Sequence, residues 1–159
     1  MAGKLEILKK EYSELEKKYK LPTFKDINEE FDIEKVQELE TDTLLREIRK
    51  VIMDKVIAYL RFIEMLLNPS QAPMFFFALL KGLDNGDKKI LEDLYSRLGK
   101  LEIQVVGVDN DYSEESEARF ILRVFKEWKE IKEDMKKIAK SLEKSWDKKT
   151  ERKEKSYLG

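Results

Sequence analysis

The chain has 159 residues, of which 42% are hydrophobic and 41% charged, with a net charge of −1 and neither cysteine nor histidine. That inventory excludes disulfides, thiolate nucleophiles, Cys/His zinc and iron–sulfur sites, imidazole bases and di-iron bundles of the Glu-x-x-His kind. A charged fraction well above the ordinary ~25% suits long helices with one apolar stripe and a charged outer face. The expected fold class is therefore all-α: a helical bundle with a long C-terminal helix, about four long helices, two or three short ones, and little or no β-structure.

The first segment places Leu5, Leu8, Tyr12, Leu15 and Tyr19 at alternating spacings of three and four. This predicts a helix to about Lys20, broken by Pro22. Thr23 is positioned to cap a short helix carrying Phe24, Ile27 and Phe31. Asp32 can cap another carrying Ile33, Val36 and Leu39. Thr41 or Asp42 is then expected to open a long helix to about Asn68. Its stripe of Leu45, Ile48, Ile52, Tyr59, Ile63 and Leu66 is broadened by Leu44, Val51, Val56, Leu60 and Leu67, so it needs more than one neighbour.

Asn68-Pro69-Ser70 is a turn signal, and Ser70 is the expected cap of a short, very apolar helix. Asp84-Asn85-Gly86 marks the next turn. From Asp87 to Val108 two periodicities compete. Leu101, Ile103 and Val105 alternate like a strand, whereas Leu91, Leu94, Leu98, Leu101, Val105 and Val108 hold helical spacing straight through Gly99. A lone strand would lack a partner in this chain, so helix is the preferred reading. Its glycine costs about 1 kcal/mol relative to alanine. Asp109-Asn110-Asp111 forms a loop and Ser113 caps the last helix, with Glu114, Glu115 and Glu117 favourably placed in its first turn. Ile121, Val124, Trp128, Ile131, Met135, Ile138 and Leu142 extend this helix to about Lys148. The expected domain is residues 1–149, and residues 150–159 are expected to form a charged tail.

The acids around residues 109–117 imitate the start of a calcium loop. The resemblance fails at Glu114, where glycine is needed, and at Phe120, where glutamate is needed. Glu114/Glu117, Glu127/Glu130 and Glu130/Glu133 have a spacing that could serve magnesium. Lysine is interleaved among them, and a solvated face with helical ion pairs accounts for the pattern. No glycine-rich phosphate loop occurs, and no lysine is marked as a base for a serine nucleophile. No catalytic residue, metal ligand or cofactor is therefore expected, and an enzyme is the weakest reading.

Two features point to association instead. Phe75, Phe76 and Phe77 cover about 300° of a helix, which one small core has difficulty burying, so part of the cluster is expected at a partner or dimer contact. Trp146, Tyr157 and Leu158 are further partner-binding candidates. The charge is also segregated. Residues 26–47 carry nine acidic and two basic side chains, net −7, whereas residues 135–159 carry nine basic and four acidic, net +5. The expectation is a protein–protein interaction or scaffold module with a protein partner or self-association. The alternative is a nucleic-acid- or ribosome-associated factor using Lys144, Lys148, Lys149, Arg152 and Lys153. Mixed acids and the near-absence of arginine weigh against that alternative.

The longest apolar run, Met74–Leu80, falls far short of the ~20 residues that cross a membrane. Residues 1–10 have no apolar targeting core. A cytoplasmic protein without membrane association is expected. Few glutamines and asparagines beside abundant Lys and Glu give a thermophile-like composition, which predicts heat resistance.

Overall fold

The computed structural model describes residues 3–158, and side chains for residues 3–70 and 72–148. The chain is all-α, and the described residues contain no strand. In order it forms α1 (Lys4–Tyr19), α2 (Phe24–Phe31), a 3-10 helix (Ile33–Glu38), α3 (Leu44–Leu67), a 3-10 turn (Pro69–Gln71), α4 (Met74–Leu80), α5 (Asn85–Asn110) and α6 (Glu114–Leu158). Its contacts group it into two compact units, each a helical bundle drawn from two stretches of sequence. No helix among the described residues is long and apolar enough to cross a membrane.

The first unit combines the chain up to Ala58 with Lys100–Trp128. Leu8 and Tyr12 are the buried face of α1. The Tyr12 hydroxyl donates to the Pro22 carbonyl at 2.6 Å, fastening the helix to the segment that terminates it. Burial, with the nearby Glu16 carboxylate, raises the Tyr12 pKa, so the phenol stays protonated and remains a donor. α1 ends where Lys20 turns into the left-handed region at φ 57°. Thr23 caps α2 as expected, its hydroxyl accepting from the Asp26 N–H at 3.1 Å. Asp32 differs from expectation. It adopts φ 54° and its side chain caps nothing, while the Asn28 carboxamide oxygen takes the Glu34 N–H at 2.9 Å. Trp128 is fully buried in this unit, its ring 4.8 Å from Phe31 and its indole N–H donating to Glu30 at 3.1 Å.

α3 starts one to two residues later than expected. The Thr41 hydroxyl accepts the Thr43 N–H at 3.0 Å, and the Thr43 carbonyl accepts the first turn's Glu47 N–H. A hydroxyl folded onto its own loop two residues ahead is unavailable to the helix terminus. At the start of α6 the Ser113 hydroxyl accepts the Ser116 N–H at 3.0 Å, the expected cap.

The second unit combines Tyr59–Gly99 with the chain from Lys129. Leu60, Ile63, Leu66, Phe76, Leu79, Leu83, Leu91, Leu94, Leu98, Ile131, Ile138 and Leu142 are its buried apolar side chains. Ser70 does not cap α4. That helix opens at Pro73 with no side-chain cap, because residues 69–71 form their own 3-10 turn. At the start of α5 Asp84 and Asp87 exchange bonds, each carboxylate accepting the other's backbone N–H, at 2.8 and 3.2 Å. This reciprocal cap opens α5 inside the expected turn.

The competing periodicities of residues 87–108 resolve as helix. Leu91, Leu94, Leu98 and Leu101 are all buried, and α5 runs unbroken through Gly99 to Asn110. Helix α6 continues past Lys148, where its apolar stripe ends, through a run of Lys, Glu and Arg that are good helix formers.

Candidate functional site

Helix α4 explains why its aromatic run cannot all be buried. Phe76, Leu79 and Leu83 face the core of the second unit at spacings of three and four. Phe75 and Phe77 then lie about 100° to either side. The structure leaves them 44% and 45% exposed, beside Met74, which is almost wholly in solvent. The cluster is thus exposed in part, as its width requires: Phe75 and Phe77 are open to solvent and Phe76 is buried. Phe76 is an ordinary core side chain, stacked on Phe75 at 4.6 Å and edge-on to Phe62 at 6.3 Å.

The fold brings Trp146 to the same place. Its ring meets Phe75 edge-to-face at 6.1 Å, and 48% of the residue stays exposed. Leu79, Leu142, Glu143, Trp146 and Asp147 line a shallow groove beside this contact. Close approach of the segment after α4 to α6 depends on Gly82. A Cβ there would overlap Ser145 Oγ and lie only 2.7 Å from Ser145 Cβ. An alanine there fits only if Ser145 or the segment carrying residue 82 shifts. Each half-exposed aromatic presents roughly 100 Å², given the 150–250 Å² such rings bury in full. Phe75 and Trp146, whose rings meet, together present on the order of 200 Å². Lys144 and Lys148 are exposed on the same stretch of α6 as Glu143 and Asp147. The candidate side chains of Lys149, Arg152, Lys153, Tyr157 and Leu158 lie outside the described residues.

A second constellation, in the first unit, went unread in the sequence. Arg49 and Glu117 are 4% and 0% exposed and form a two-pronged pair, Nε donating at 2.8 Å and Nη2 at 3.0 Å to the two carboxylate oxygens. Arg49 Nη2 also donates to Asp109 at 3.0 Å. Arg46 holds the same Asp109 carboxylate and its backbone carbonyl at 3.1 and 2.9 Å. Hydrogen bonds from Arg49, then Arg46, hold the Asp109 carboxyl below its usual range. The bonds that Arg49 donates to Glu117 raise the Arg49 pKa. The acids that imitate a calcium loop are thus arginine ligands in part, and among the described residues no group of acids is arranged to hold a metal ion. The signal was present: Leu45-Arg49-Ile52-Val56 and Glu117-Ile121-Val124 each carry a charge on the apolar stripe, where only a partnered charge is tolerated.

No protein-family model matches the sequence, no curated protein matches it, and no solved structure matches the fold.

Proposed function

We propose that this protein is a non-enzymatic interaction module, cytoplasmic in keeping with its lack of cysteine, whose second unit docks an amphipathic helix of a protein partner. The observation that carries this reading is the meeting of Phe75 and Trp146, 71 residues apart in sequence, as a half-exposed aromatic contact. In a chain that is 41% charged, two aromatic rings left about half open to solvent stand out from the lysine- and glutamate-rich surface. Aromatic side chains at the edge of a groove supply large contact area with little entropy to lose, and they dominate binding hot spots. Glu143 and Asp147 on the groove favour a partner helix with lysine or arginine flanking its apolar face.

The test uses the full chain and the variant Phe75→Ala/Trp146→Ala. The variant should fold normally and lose at least about tenfold in affinity for a purified partner, the scale of one hot-spot residue. Binding should also protect Trp146 from acrylamide quenching, while buried Trp128 is insensitive. Unchanged affinity in the double variant would reject the patch. Complexes that are removed by nuclease and weakened by Lys144→Gln/Lys148→Gln, while tolerating the aromatic substitutions, would favour nucleic-acid binding instead.

A further inference from the structure

A groove in the first unit, separate from the aromatic patch, has its own claim to a partner. It is lined on one side by Lys4, Ile7, Leu8 and Glu11 of α1. Residues Val36–Thr41 and Leu44, from the 3-10 helix to the start of α3, form the other side. Its volume is about 310 Å³. Two large apolar side chains lie open on it, Ile7 at 48% and Leu39 at 51% exposure. Around them stand Glu11, Glu38 and Glu40. The one lining cation, Lys4, is already bonded to Glu38 at 2.8 Å. The groove is therefore apolar along its floor and acidic at its rim. The wall formed by residues 36–44 belongs to the most acidic stretch of the chain, residues 26–47 at net −7.

The chemistry that fits such a groove is a basic segment with a few apolar side chains, and this chain carries one. Residues 148–158 hold Lys148, Lys149, Arg152, Lys153 and Lys155 against Glu151 and Glu154, and they finish with Tyr157 and Leu158. The net charge of this segment, +3, is opposite in sign to that of the groove lining, where three glutamates outweigh Lys4.

We propose that the acidic-rimmed groove of α1 and residues 36–44 receives the basic end of α6 from a second copy of this chain. In sequence this segment supplies the two chemistries the groove calls for: Tyr157 and Leu158 for its apolar floor, and lysines and an arginine for its acidic rim. The contact is heterologous, groove to helix end, so it either closes reciprocally in a dimer or extends from copy to copy. Its charge pairs lie at the surface and are screened by salt.

Sedimentation equilibrium of the full chain tests this. Three proteins are compared at about 0.05 M and about 0.5 M salt, where the screening length falls to a few ångströms: the natural sequence, a groove variant Glu11→Lys/Glu40→Lys, and an end variant Lys149→Glu/Arg152→Glu/Lys153→Glu. The natural chain should exceed its 18.9 kDa monomer mass as concentration rises at low salt, and should weaken by about tenfold or more at high salt. Each variant alone should remain monomeric, with circular dichroism confirming that it is folded. An equimolar mixture of the two variants should associate again, because it restores opposite charges on groove and end. A natural chain that stays monomeric at low salt overturns the proposal. So does a mixture that fails to associate, or a variant that associates as well as the natural chain. The Phe75→Ala/Trp146→Ala variant should self-associate normally, so failure here and failure of the aromatic patch give different results.

Discussion

Replacing Arg49 by methionine removes the guanidinium that holds the Glu117 carboxylate, a group with no solvent exposure. Both Glu117 oxygens are satisfied by Arg49, at 2.8 and 3.0 Å, so the variant strands a buried charge. Breaking a buried pair from one side typically costs about 3–5 kcal/mol. Asp109 is not stranded, because Arg46 continues to hold it at 3.1 Å. The converse change, Glu117→Leu, leaves Arg49 bonded to Asp109 and should cost less, about 1–3 kcal/mol. The double variant removes both charges and should be more stable than Arg49→Met alone, since exchange of a whole buried pair for apolar groups is often near neutral. Urea unfolding followed by helical circular dichroism measures this. With a slope of about 2 kcal/mol per molar, Arg49→Met should lower the midpoint by about 2 M. A loss under about 0.5 M would refute the reasoning, as would additive effects in the double variant or a cost for Glu117→Leu equal to that for Arg49→Met.

Gly82→Ala should destabilise the chain by about 1–3 kcal/mol through the clash with Ser145. Adding Ser145→Gly should recover that loss, less the roughly 1 kcal/mol that glycine costs inside a helix. Equal stability of Gly82→Ala and the natural chain would show that no close approach exists. Acid should also destabilise the fold. Asp109, bonded by Arg49 and Arg46, and Glu114, bonded first by the Tyr19 hydroxyl and then by Lys18, both have lowered pKa values in the folded state. Their contribution is fully present above the ordinary carboxylate range and is lost as pH falls through their lowered folded values. Urea midpoints should therefore drop below about pH 4, and less steeply in Asp109→Asn; a midpoint that rises on acidification contradicts this. Finally, calorimetry should place the melting temperature above about 60 °C, at the upper edge of the mesophile range, if the scarcity of Asn and Gln reflects heat resistance.

The sequence alone determined the helices, because helix formation here is governed by short-range periodicity. Leu91, Leu94, Leu98 and Leu101 recur on one face whatever lies opposite them, and that recurrence outweighed Gly99 and the strand-like alternation beside it. Thr23 and Ser113 were legible caps for the same reason: donor and acceptor lie three residues apart. Caps became illegible where several hydroxyls or carboxylates competed locally, as at Thr41 and Thr43 or Asp84 and Asp87. The aromatic run at 75–77 was readable as too wide to bury, yet which ring turns inward was not, since rotation about the helix axis is set by the helices it packs against. Only tertiary structure decided that Phe75 meets Trp146, that Gly82 lies against Ser145, and that Arg49, Asp109 and Glu117 converge from three helical segments. These contacts span up to 71 positions, and no local periodicity encodes a distance of that kind.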